Sequence, residues 1–158
     1  MRGVLLGATL LFCSVLVAGC GGSSGGGRLS ANDYRTRLAA VSHEADQAQS
    51  QVEQGLHAKT VAALRARLET FAAASQKLGN EVAALKPPEN ATAANAELAK
   101  GEQDTAISTR AVLPKLAHLK SVKAALTYLQ QSQGNAKGGH ELDDSLTKLK
   151  QLGYTKGS

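Results

Sequence analysis

Residues 61–88 read VAALRARLETFAAASQKLGNEVAALKPP. Val61, Leu64, Leu68, Phe71, Ser75, Leu78, Val82 and Leu85 recur at alternating steps of three and four. An α-helix turns once every 3.6 residues, so these side chains fall on one stripe. Ser75 is its only polar member. A stripe sustained at this period is a heptad seam, which packs nearly parallel or antiparallel to neighbouring helices. Pro87 disfavours helical geometry at Lys86, so the Pro87-Pro88 pair ends the helix.

The same period extends outward in both directions. Upstream, Tyr34, Leu38, Val41, Ala45, Ala48 and Val52 share one face, with Ser30 placed to cap, Asp33 in the first turn and Gly55 as the stop. Downstream, a third helix starts near Glu89 or Asn90 and carries Ala91, Ala94, Leu98, Thr105, Val112 and Leu116. Pro114 removes a hydrogen bond there and predicts a kink or an end near residues 110–114. Ser121 is placed to cap a fourth segment bearing Val122, Leu126 and Leu129, and Leu142, Leu146, Leu149 and Leu152 resume its face. Gly134, Gly138 and Gly139 weaken helix formation between those two sets. One bent helix or two fit residues 121–152; the spacing from Leu129 through Ala136 to Leu142 favours one. Gly153 ends it. Four amphipathic segments with short turns predict an all-α, up-down four-helix bundle over residues 30–153, followed by a C-terminal tail at 154–158.

Composition agrees. The chain has 158 residues, of which 42% are apolar, 20% charged and 3% aromatic, with no Trp and a single Ile at Ile107. A β-sandwich or barrel wants β-branched and aromatic residues, and this chain is rich in Ala and Leu. The apolar fraction is too high for a disordered chain. Two cysteines exclude a disulfide framework of any size. No internal repeat of 20 to 50 residues aligns, which argues against a solenoid.

The N-terminus reads as an address. Arg2 supplies a positive charge, and residues 4–18 form an uncharged apolar run too short for the ~30 Å hydrocarbon core of a bilayer. The run ends in Val17-Ala18-Gly19-Cys20. This resembles the lipobox of bacterial lipoprotein precursors. The resemblance implies that residues 1–19 are a signal peptide removed before Cys20, that the Cys20 sulfur carries a diacylglycerol, and that the chain is held at the extracytoplasmic face of the cell membrane. Two acyl chains give stable anchoring where one gives marginal binding. Cys13 leaves with the signal, so thiol catalysis is excluded from the mature chain. Residues 20–29 are then the lipidated Cys and a Gly/Ser-rich tether; GGSSGGGR at 21–28 has a root-mean-square reach of ~15 Å. It lacks the Gly-Lys-Ser/Thr of a phosphate-binding loop.

Three short motifs carry a wider resemblance: Leu29-Ser30 leading to Tyr34, Leu85-Lys86-Pro87-Pro88, and Glu141-Leu142-Asp143 leading to Leu152-Gly153-Tyr154. The mature chain resembles small helical lipoproteins of high-GC Gram-positive bacteria, some of which carry a Cys in the first helix that this chain lacks. That resemblance implies fold and location, and no activity.

Catalytic and metal-binding patterns are missing. His43, His57, His118 and His140 include none placed three residues after a Glu, the spacing that bundle di-iron sites need. Glu53 with His57, and His140 with Asp143 or Asp144, share faces but have no matching partner pair. No Gly-x-Ser-x-Gly elbow occurs. Glu97, Glu102 and Asp104 are spaced either to line a groove or to form a solvated face. No catalytic residue, metal ligand, ligand-binding residue or cofactor is therefore assigned. Residues 28–102 balance nine Lys/Arg with nine Asp/Glu, whereas residues 103–158 carry eight against four. Lys115, Lys120 and Lys123 form either a contact for anionic lipid or cell-wall polymer, or simply a solvated face. Export and the scarcity of stacking aromatics argue against nucleic acid. The expectation is a membrane-anchored, non-enzymatic interaction or envelope module with a protein partner in the envelope. The alternative is a carrier holding an amphiphile between its helices, with Ser75 and Thr105 facing inward.

Overall fold

A computed structural model describes residues 27–133 and 137–155, the side chains of Gln133 and Lys137 excepted. Cys20 and the signal segment lie outside the described residues. The regular elements within them are all helical: α1 (Ala31–Leu56), α2 (Val61–Ala84), a 3₁₀ turn (Glu89–Ala91), α3 (Thr92–Leu116), α4 (Val122–Gln133) and α5 (Lys137–Gln151). None of these helices is long and apolar enough to cross a membrane.

Each helix starts on a hydroxyl cap where the sequence offers one. Ser30 Oγ accepts from the Asp33 amide, Thr60 Oγ1 from Ala63 and Ser121 Oγ from Ala124, each satisfying a free N–H of a first turn. Gly153 ends α5 at φ 75°, a conformation that glycine adopts without steric penalty. The Gly153 amide donates to Lys150 and the Tyr154 amide to Leu149, the paired bonds of a Schellman cap.

The predicted seams are the buried ones. All eight stripe positions of α2, and all six of α1, are buried or half-buried. α2 packs against both α1 and α3, and α3 packs against α5. Contacts between Val82 and Asn95, and between Ala72 and Arg110, run α2 and α3 antiparallel. Ion pairs of Lys100 with Glu141 and Lys148 with Glu97 run α3 and α5 antiparallel. Two apolar clusters result. One gathers Tyr34, Leu38, Val82, Ala94, Leu98, Leu149 and Tyr154 at the end where the chain enters. The other gathers Leu64, Leu68, Leu116 and Ala125 at the opposite end.

Four expectations change. First, α3 runs through Pro114 and ends at Leu116. The proline is exposed and close to the helix end, so the hydrogen bond it forfeits falls where solvent is at hand. Second, the segment after Ser121 is two helical elements with different neighbours: α5 lies along α3, while α4 joins the opposite cluster. The favoured single helix has its join at residues 134–136, outside the described residues. Third, Leu146 and Leu152 are exposed, and Ser145 is buried between Leu142 and Leu149. Fourth, Tyr154, assigned to a tail, is buried in the core.

Glycines explain the Ser145 register. A methyl group on Gly101 would stand 2.9 Å from Leu142 Cγ, and one on Gly138 would stand 2.7 Å from the Thr105 amide and 2.8 Å from the Gly101 carbonyl. α3 and α5 therefore approach almost backbone to backbone, and the facing position at 145 takes a small side chain. Gly79 brings α2 against α3 in the same way, 3.0 Å from the Ala99 carbonyl. Gly138 and Gly139 thus differ although adjacent, because a methyl at Gly139 meets nothing within 4 Å. Gly139→Ala should stabilise the fold by up to ~1 kcal/mol through helix propensity, whereas Gly138→Ala should destabilise it by ~1–3 kcal/mol because backbone must move. Urea unfolding of the two variants side by side checks this.

Candidate functional site

The chain enters the fold at a fixed point. α2 ends at Ala84, and Pro87 and Pro88 supply no N–H groups, so the carbonyls around this turn need partners from elsewhere. The incoming segment supplies them. The Leu29 amide donates to the Lys86 carbonyl at 2.7 Å, and the Arg28 guanidinium donates to the Pro87 carbonyl and to Thr92 Oγ1. Residues 28 and 29, assigned to the tether, are thereby docked on the turn between α2 and α3.

Beneath this entry lies a buried polar relay. The Tyr34 hydroxyl donates to Asn95 Oδ1 at 3.0 Å, and Asn95 Nδ2 donates to the Val82 carbonyl at 2.9 Å. One asparagine thus joins α1, α2 and α3. The Tyr154 ring stands edge-on to Tyr34, with centroids 5.1 Å apart, and its hydroxyl donates to Asn90 Oδ1. Arg35 donates to the Gly153 carbonyl and lies 5.7 Å from the Tyr154 ring centroid, within cation–π range. The three short motifs of the sequence, around Tyr34, Pro87-Pro88 and Tyr154, therefore meet at one end of the molecule. Burial, with Tyr154 close by, pushes the Tyr34 hydroxyl up to about 12.

A second polar pair sits midway along the helices. Ser75 is buried, as its place in the α2 seam requires, and Glu102 on α3 lies against it. Burial raises the Glu102 carboxyl above the usual range, and the Ser75 hydroxyl opposes that rise. Thr105, the other inward polar position, is packed against Gly138.

The remaining sequence candidates do not converge. Glu102 faces α2, whereas Glu97 pairs with Lys148 and Asp104 with Lys100, so the three acids line no common groove. All four histidines are exposed. Among the described residues no three of His, Cys, Asp and Glu gather closely enough to hold a metal. An open groove of about 360 Å³ runs along the outside of α1 and α2 over Ala48, Phe71, Ala74 and Leu78, with Glu44 and Lys77 paired at its rim. Compared with known proteins, the chain matches no family model, no curated protein and no solved structure.

Asn95 and Asn90 carry the relay, and sequence reasoning passed over both. The signal was present: Asn95 stands four residues after Ala91 and three before Leu98, on the apolar stripe of α3, where an amide needs a buried partner.

Two outcomes follow from these groups. Tyr34→Phe leaves Asn95 Oδ1 without its donor and should cost ~1–3 kcal/mol of stability. Tyr34 binds its proton more tightly folded than unfolded, so its contribution is complete below pH 10 and is lost as pH rises toward 12. The wild type should therefore lose stability over that interval faster than Tyr34→Phe, as read from denaturation midpoints. Glu102 has the same sign at lower pH: its raised folded value means that ionisation disfavours the fold. Glu102→Gln should stabilise at pH 7, and the gain should shrink as pH falls into the carboxylate range.

Proposed function

We propose that this chain is a lipid-anchored, non-enzymatic interaction module of a bacterial envelope. Residues 1–19 are a signal peptide, Cys20 carries a diacylglycerol, and residues 21–27 tether an up-down four-helix bundle to the extracytoplasmic face of the membrane. The observation that carries this reading is the Val17-Ala18-Gly19-Cys20 motif followed by a Gly/Ser-rich tether that ends where Arg28 and Leu29 dock on the bundle. A tether that ends on a fixed point gives the bundle a defined base.

The bundle reading rests on register. Ala125 of α4 clusters with Leu116, and Leu142 of α5 abuts Gly101, which supports reading α4 and α5 together as the fourth position of the bundle. The inward polar positions face protein, Ser75 toward Glu102 and Thr105 against the close-packed Gly138. This favours an outward-facing interaction role over the carrier alternative, which needs room between the helices. The partner expected is an envelope component met by the outer faces.

Cys20→Ala should move the chain from the membrane fraction to the soluble or secreted fraction, and mass spectrometry of the wild-type N-terminal peptide should show an acylated Cys20. Unchanged fractionation, or an unmodified cysteine in the wild type, contradicts the anchor. Crosslinking from native membranes tests the interaction role: a component recovered near stoichiometry with the wild type and lost with Cys20→Ala is the expected result.

A further inference from the structure

The described charge is divided between the two ends of the fold. Residues 53–69 and 112–128, which contain the α1–α2 and α3–α4 turns, carry six Lys/Arg against two Asp/Glu. The rest of the described residues carry ten against eleven. The two turns lie side by side, because Ala58 and Val61 pack into the same cluster as Leu116 and Leu119. Lys59, Arg67, Lys115, Lys120 and Lys123 are exposed at this end, and among the described residues none of them forms a salt bridge. Arg65 is the exception, paired with Glu69. Glu53 is the remaining acid. Elsewhere acids balance the cations in number, and Lys77, Lys100 and Lys148 are each held by carboxylates.

We propose that this basic end binds an anionic polymer bearing repeated phosphate or carboxylate groups. The residue types favour a polymer over a protein partner. Four of the five exposed cations are lysines, which are depleted in protein–protein interfaces, and the aromatic anchors that dominate such interfaces are lacking: Tyr128 is half-buried in the cluster beneath. Lysines act as flexible point charges, and several of them gain affinity along a polyanion by displacing its counterions.

Geometry favours a polymer over the anchoring bilayer, and this step rests on the lipid anchor proposed above. The basic end lies at the opposite end of α2 from the point where Leu29 docks on Lys86. α2 has 24 residues, a span of ~36 Å at 1.5 Å per residue. Eight residue steps separate Cys20 from Arg28, reaching at most ~29 Å when fully extended. An inverted bundle therefore cannot set its basic end face-down on the membrane that holds Cys20. Upright, that end is several Debye lengths from the bilayer charge, since the screening length is ~8–10 Å near physiological salt.

The test uses the full chain reconstituted in phosphatidylcholine vesicles and in phosphatidylglycerol vesicles, with long-chain inorganic polyphosphate as the probe and flotation as the readout. Polyphosphate should float with both vesicle types at 50 mM salt, and retention should fall at least ~10-fold by 300 mM. The Lys115→Gln/Lys120→Gln/Lys123→Gln variant should lose ~10-fold or more. Arg37→Gln/Lys86→Gln/Lys150→Gln, which removes equal charge elsewhere, should lose less than ~3-fold. Equal loss in the two triple variants, salt-independent retention, or no retention at all overturns the proposal. Retention in phosphatidylcholine that vanishes in phosphatidylglycerol overturns it in favour of a membrane-facing patch. Failure of the anchor reads out separately: Cys20→Ala protein would then float as well as the wild type.

Discussion

Asn95 carries two buried hydrogen bonds, from the Tyr34 hydroxyl and to the Val82 carbonyl, and through them three helices meet at one side chain. Folding buries that amide whether or not its partners are in place. An unpaired buried polar group costs ~1–3 kcal/mol, against a total stability of ~5–15 kcal/mol for an ordinary domain. The relay therefore penalises any register in which α1, α2 and α3 are slipped by a residue. Apolar seams rich in alanine are tolerant of small slips, because one methyl group resembles the next. Asn95 removes that tolerance at the end where the chain enters. Tyr154 extends the same constraint to the far terminus of the fold, since its ring needs Tyr34 in place and its hydroxyl needs Asn90.

Close approach is the second determinant. Gly79, Gly101 and Gly138 let α3 lie nearly backbone to backbone against α2 on one side and α5 on the other. Short side chains bury less apolar area than Leu or Phe, and close packing compensates through dispersion contacts. It also leaves little space between these helices. The surface ion pairs of Lys77, Lys100 and Lys148 fix which faces meet, although solvent screens them and limits what they add to stability. The excess of positive over negative charge falls at the end away from the chain entry, where six Lys/Arg face two Asp/Glu.

Helix positions were legible in the sequence because burial repeats every three to four residues. The α2 seam was read without error, and Ser30, Ser121 and Gly153 marked real helix boundaries. Where reading failed, tertiary contact overrode local preference. Glycine was counted as a helix weakener, which holds for Gly139; Gly138 is required by a contact 33 residues upstream, at Thr105. Leu146 looked more apolar than Ser145, yet the narrow gap between α3 and α5 admits the smaller residue. Tyr154 followed a helix stop and so resembled a tail, and only its partner 120 residues earlier, Tyr34, makes it core. The polar relay was hidden for the same reason: periodicity marks where a side chain is buried, not what it bonds to. The motif at Cys20 is legible in sequence alone, and the structure adds the docking of Arg28 and Leu29 on the turn at Lys86 and Pro87.

The segments that enter and leave the helices, at Leu29 and Tyr154, are locked onto them around the Tyr34–Asn95–Val82 relay. Native-state amide hydrogen exchange tests this most directly, at the Leu29 amide bonded to the Lys86 carbonyl and the Tyr154 amide bonded to the Leu149 carbonyl. Exchange at both sites as slow as at Leu64 in the core, and accelerated together by Asn95→Ala, is the predicted result. Exchange at unprotected-peptide rates while α2 and α3 stay protected would contradict it, because the segments at Leu29 and Tyr154 would then fray independently of the helices.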